Sequence, residues 1–219
     1  MRAGATIAFE PRKTPIQERS TVTVEAIFEA TIQVLLSPGA DRLTTTRVAQ
    51  RAGVSVGTLY QYYPNKQSLL LAVVENHLNK VMASIEAACE SACYRPLAVM
   101  IKQMVEAYVD AKMERPDVSA ALYRVSPNVG GPALLKRVSQ RLRKTIDAMF
   151  ETASDIKSAP DKLAIDIMLA AMAGAMRSLL EARPSPATVR KSREQLVLLC
   201  QSYVAAAIAK RVEPLAAVC

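Results

Sequence analysis

The side chains best equipped to act on another molecule fall in one short run. From Thr44 to Lys66 the chain reads TTTRVAQRAGVSVGTLYQYYPNK, which gathers the hydroxyls of Thr45, Thr46 and Thr58, the phenols of Tyr60 and Tyr62, the amide of Gln61 and the ammonium of Lys66. Such groups donate hydrogen bonds to phosphate oxygens and exchange them with base edges. The means for catalysis are thin. There is one histidine, His77, no glycine loop of the kind that cradles phosphate and no nucleophile set beside a base, so an enzyme is not expected. His77 is read as a satisfied surface histidine, or as one facing a pocket. Cys89, Cys93, Cys200 and Cys219 lack zinc or thioredoxin spacing, and no metal or cofactor is expected. Cys89 and Cys93, four apart on a predicted helix, leave a redox or metal-sensing pair open beside the plainer reading of small buried side chains.

Those hydrogen-bonding groups need a frame, and the intervening residues describe one. Val24, Ile27, Phe28, Val34 and Leu35 recur at helical spacing over Thr23–Leu36, and Ser37-Pro38-Gly39 ends the run. A threonine caps a short second helix around Val48 and Ala49, and Gly53 closes it with a positive φ. Ser55 caps a third. Ala49 is small where two steeply crossed helices meet, and Val48, Val54 and Leu59 would fill their shared core. The pattern is a helix-turn-helix, which leaves Val56, Gly57, Thr58 and Gln61 on the outer side of its second helix, where such a unit enters the major groove of DNA. Tyr60 and Tyr63 could instead be core aromatics. Arg47 and Arg51 could touch phosphate or simply be solvated.

Composition agrees with that frame. Half of the 219 residues are hydrophobic, and the abundance of Ala, Leu, Val and Met favours helices over sheet. The net charge of +8 suits nucleic acid first and an anionic membrane surface second. A basic amphipathic membrane-surface protein would share the charge but not the capped Ala-Gly-Val-Ser turn. The longest apolar stretch, Ile167 to Met176, reads as too short to cross a bilayer, and the N-terminal residues lack a secretory apolar core. No membrane partner and a cytoplasmic location are therefore expected.

The run resembles the TetR family of bacterial regulators. The resemblance rests on Ile27, Ala30, Thr45, Val48, Ala49, Ala52, Gly53, Val54 and Ser55, then on Gly57, Thr58, Leu59, Tyr60, Tyr62, Tyr63, Pro64, Lys66 and Leu69. Tyr63 stands where phenylalanine is commoner. The resemblance implies an all-α fold, with an N-terminal three-helix helix-turn-helix domain followed by a larger helical ligand-binding and dimerisation domain. It implies a homodimer on double-stranded operator DNA, repression as the usual mode and a small-molecule effector. By position, Thr45 and Thr46 would bind phosphate with help from the helix dipole, and Tyr62 and Lys66 would hold phosphates at the other rim. Val56, Thr58, Tyr60 and Gln61 would face base edges, and Gly57 would let the helix come close.

Three parts are expected: an arm over residues 1–19, the DNA-binding domain over 20–66 and the sensing and dimerisation domain over 67–219. The arm carries Pro11 and Pro15, and its Arg12, Lys13 and Arg19 could follow the DNA backbone or enter the minor groove. Beyond Pro64, stripes at Leu70, Val73, Val74, Val81 and Ile85, at Leu97, Ile101, Met104, Tyr108 and Ala111, and at Leu135, Val138, Leu142, Ile146 and Met149 mark successive helices. Two more are expected, over about Pro160–Ala182 and Ser185–Arg211. The small residues Ala170, Ala171, Gly174 and Ser178, with Leu196, Leu199, Tyr203, Val204 and Ala207, are assigned to a dimer surface, the alternative being core within one chain. Met104, Tyr108, Tyr123, Met149 and Met172 are assigned to an effector pocket because methionine adapts to varied apolar ligands, although methionine stripes also fill ordinary cores. Effector binding would then move the fourth helix and respace the recognition helices.

Overall fold

Backbone N–H groups at a helix start need acceptors, and here they are met by the residues that the sequence puts there. In the computed structural model, which describes residues 18–37 and 43–212, the elements are α1 (Glu18–Leu36), α2 (Thr45–Ala52), α3 (Val56–Tyr62), α4 (Lys66–Ala92), α5 (Leu97–Met113), α6 (Pro116–Val125), α7 (Gly131–Glu151), α8 (Lys162–Glu181) and α9 (Pro186–Val212). A 3-10 turn at Ser126–Asn128 precedes α7, and there is no strand among the described residues. The fold is all-α. Arg12, Lys13 and Cys219 lie outside the described residues, as does nearly all of the expected arm. Helix α1 starts at Glu18, earlier than the Thr23 expected from the apolar period.

The chain divides into two compact units. One takes the described residues through Leu78 together with Ala121–Leu135; the other takes Asn79–Ala120 and the described residues from Lys136 onward. In the first, α1 packs on α2 and α2 on α3. Its core is Ile27, Ala30, Val34 and Leu35 with Val48, Ala49, Leu59, Tyr63, Leu69 and Val73. Thr31 is buried among them, and its hydroxyl donates to the Ile27 carbonyl at 2.7 Å. Asn65 and Ser68 start α4 reciprocally: Asn65 Oδ1 accepts the Ser68 N–H at 2.8 Å, and the Asn65 N–H reaches Ser68 Oγ at 3.2 Å.

In the second unit α9 packs on both α5 and α8. It runs antiparallel to α5, since Gln201 Nε2 donates to the Ala98 carbonyl at 2.7 Å while Arg193 pairs with Asp110. Asp161 caps α8, accepting the Ala164 N–H at 2.8 Å. The apolar period is right for most helices but mistaken at the start of α7. There Leu135 is 40% exposed and Leu134 is the buried residue, because stepping back from Val138 by three or by four both fit a helix. Helix α8 also corrects an expectation: by length and composition it is apolar enough to cross a membrane. Its Ile165, Met168, Met172, Met176 and Leu180 side is buried in protein, which accounts for that side without a bilayer.

Candidate nucleic-acid interface

The helix-turn-helix is built by three capping residues. Thr44 sits in extended backbone, and its Oγ1 accepts the Arg47 N–H at 3.3 Å, which places Thr45 and Thr46 in the first turn of α2. At the other end Gly53 adopts φ 69°, and its N–H turns back to the Ala49 and Gln50 carbonyls. A Cβ added at Gly53 would meet nothing within 4 Å, so glycine is needed for the dihedral and not for room. Ser55 then restarts the helix, its Oγ accepting the Thr58 N–H at 2.9 Å.

Leu59 is the buried residue of α3, against Val48 and Ala49 of α2, while Val54 in the turn is half-buried. Tyr63 closes the arrangement from below. It is 4% exposed, its ring lies 5.9 Å from that of Phe28, and burial, with a smaller effect of Tyr62, pushes its phenol up to about 12. It is therefore a core aromatic. Tyr60, the other residue with two readings, is 42% exposed.

Every residue assigned to DNA from the sequence lies outside this core. Thr46, Gly57, Tyr60 and Gln61 are exposed; Thr45, Val56, Thr58, Tyr62 and Lys66 are half-buried. Thr45 Oγ1 and the Tyr60 hydroxyl are 3.0 Å apart, so the start of α2 and the outer side of α3 present their oxygens together. The surroundings add an electrostatic feature that motif spacing missed. From Arg42 to Val74 the chain has no aspartate or glutamate, but it has Arg42, Arg47, Arg51 and Lys66. Arg47 is exposed on α2, and Arg51 is held by α1, donating from Nε to Gln33 Oε1 at 2.6 Å. Hydroxyls, helix N-termini and cations without a carboxylate among them suit a polyanion.

Comparison with known proteins agrees with this geometry. Residues 27–73 match the model of bacterial regulatory proteins of the tetR family, and residues 96–203 match the tetracyclin repressor-like C-terminal domain. The chain belongs to the TetR family. This TetR-family protein matches, over its N-terminal part, a family of bacterial regulatory proteins. It is 28% identical over 123 residues to the HTH-type transcriptional regulator RutR of Escherichia coli O157:H7, a match covering 56% of each chain. It is also 28% identical over 129 residues to the HTH-type transcriptional repressor KstR of Mycobacterium tuberculosis, covering 58% of this chain and 56% of that one. The chain thus spans little more than half the length of these relatives. Among solved structures, a TetR transcription regulator from Haloarcula marismortui shares the fold, with a TM-score of 0.70 and 19% identity over 86% of this chain and 99% of that one.

The other assigned residues fall as follows. Met104, Tyr108, Met149 and Met172 are buried in the second unit, whereas Tyr123 is half-buried and belongs to the first. Ala171, Gly174, Ser178 and Leu199 are exposed, Tyr203 is half-buried, and Leu196 is 5% exposed within the protomer's own core. Cys89 and Cys200 are buried, which raises their thiols to about 12 and about 11, so neither forms thiolate readily at neutral pH. Lys112 is unusual among the charged groups. It is 3% exposed, and loss of hydration lowers its ammonium to about 8. Periodicity carried no warning of it.

Proposed function

We propose that this regulator is a repressor that binds a palindromic operator as a homodimer and is released by a small, largely apolar ligand. The observation that carries the reading is the outer side of α3: Gly57, Tyr60 and Gln61 stand exposed on a helix fixed by capping at its start, in a stretch without carboxylates. One such helix reads few bases, and two related by a twofold axis about one DNA turn apart read a near-palindrome. In this reading Thr45, Thr46, Tyr62 and Lys66 bind phosphate, while Val56, Thr58, Tyr60 and Gln61 meet base edges.

Dimerisation is assigned to α8 and α9, where Leu163, Ile167, Leu198 and Leu199 are exposed beside Ala171 and Gly174. Effector recognition is assigned to the methionine-rich interior around Met104, Tyr108, Met149 and Met172. Residues 20–66 form the DNA-binding domain and residues 67–219 the sensing and dimerisation domain, and the protein works in the cytoplasm. The effector lowers operator affinity only by the ratio of its affinities for the free and DNA-bound states.

The test is binding to genomic fragments followed by footprinting. Specific binding should show a two-fold symmetric footprint and a logarithmic salt slope of roughly −0.9 per phosphate contacted. Lys66→Ala should weaken binding to all sequences, and Gln61→Ala should alter preference among them. Salt-insensitive binding, or equal binding to anionic vesicles, would overturn the reading. If no ligand in a broad titration shifts operator affinity, the effector part of the proposal fails alone.

A further inference from the structure

We propose that the groove between α7 and the start of α8 is an anion site for a small ligand carrying two or more phosphate groups. It lies wholly in the second unit and is independent of the DNA-binding reading. The groove is open, with a volume of about 730 Å³, within the range of small-ligand sites. Arg137, Arg141, Arg143, Lys144 and Lys162 line it, and Asp147 is the one carboxylate in its wall.

The distribution of partners within this cluster is uneven. Arg141 is saturated by α4, donating to both Glu86 oxygens at 2.7 and 2.6 Å. Arg143 is held between Asp147 and Asp166, which fixes its guanidinium, yet its Nη2 is buried without an acceptor. Lys144 and Lys162 make no ion pair among the described residues. Arg137, Arg141 and Lys144 are spaced i, i+4 and i+7 on α7, so they lie along one side of the helix, with Arg141 already neutralised by Glu86. A multiply charged anion lying across the groove gives the Lys144 and Lys162 ammonium groups a counter-charge at the same time. A monoanion or an apolar ligand does not. The two unpaired lysines are point charges on flexible stems, suited to phosphate oxygens without demanding one geometry.

The experiment is calorimetric titration of the full chain with pyrophosphate, tripolyphosphate and adenosine triphosphate, at low and moderate salt. Saturable pyrophosphate binding is expected, at least about tenfold weaker in Lys144→Ala/Lys162→Ala and unchanged in Arg177→Ala, whose exposed guanidinium pairs with Glu181 on the same helix. Adenosine triphosphate binding more tightly than tripolyphosphate would identify a nucleotide as the source of the phosphates; equal affinity would identify the phosphates alone. Thermal melts check that the lysine variants fold. The absence of saturable binding by any of the three, or equal binding by the double variant, overturns the proposal. So does protection of Lys144 and Lys162 from amine acylation by duplex DNA and not by pyrophosphate.

Discussion

Thr45 Oγ1 and the Tyr60 hydroxyl meet at 3.0 Å, linking the first turn of α2 to the outer side of α3. Neither side chain is buried, so water competes for both and the bond contributes only about 0.5 kcal/mol net. Urea denaturation of Thr45→Val, Tyr60→Phe and the pair should give a coupling energy of about 0.5 kcal/mol. If the Tyr60 hydroxyl also contacts DNA, Tyr60→Phe will reduce operator affinity by more than it reduces stability. Additive single effects would show that the link is not formed in solution.

The two glycines of the helix-turn-helix should respond in opposite ways. An added Cβ at Gly57 meets only Ser55 Oγ, at 3.7 Å, and its position is helical, so Gly57→Ala should raise stability by up to about 1 kcal/mol. Nothing inside the protein calls for a glycine there. If Gly57 lets α3 approach DNA, as proposed above, the same substitution should weaken operator binding. Gly53→Ala finds room but must hold a positive φ, and should cost about 1–2 kcal/mol. Paired denaturation and DNA-binding measurements check both. Unaltered operator affinity in Gly57→Ala would remove Gly57 from the interface.

The helix-turn-helix was legible because each of its residues answers a local demand. A threonine or serine caps, a glycine takes positive φ, and Ala49 is small where helices cross; local chemistry of this kind is written in single residues. Tyr63 was undecided between core and surface because its burial depends on Phe28, far back in the chain, and no spacing rule reaches that distance. Leu134 and Leu135 were confused for a related reason, since two neighbouring leucines both satisfy the helical period and only packing chooses. The same holds for Leu196, whose neighbour-but-two Leu199 is exposed while it is buried. Four of the five cations of the groove on α7 stand within Arg137–Lys144 and were legible as a basic run, but Lys162 joins them only when α8 folds beside α7.

Lys112 makes stability depend on pH. Its ammonium is lowered from 10.5 to about 8 by burial, so between those values the unfolded chain holds a proton that the folded chain has released, and stability rises with pH across that window. Below pH 8 both states are protonated, and the destabilisation is complete, up to about 3 kcal/mol. Cys89, Cys200 and Tyr63 act oppositely, because their raised values make stability fall once their unfolded forms ionise above about 9. The clean interval is therefore pH 8 to 9. Urea denaturation there should show a positive slope that vanishes in Lys112→Met, and an identical slope in both proteins would place the charge elsewhere.

The exposed side of α8 and α9 offers the sharpest test of assembly. Gly174 is exposed in mid-helix, and an added Cβ there would meet nothing within 4 Å inside the protomer. A glycine in that place costs about 1 kcal/mol of helix stability against alanine without any benefit to the chain that carries it, whereas a second copy packed at close range would need it. Leu199, 47% exposed, is likewise unexplained by the protomer. Gly174→Glu and Leu199→Glu should therefore convert a dimer to a monomer in sedimentation while leaving the helical circular dichroism signal intact. Leu196→Ala should do the reverse, costing about 2–5 kcal/mol of protomer stability from a residue only 5% exposed. A wild-type protein that sediments as a monomer at micromolar concentration would end the homodimer reading, and with it the palindromic operator.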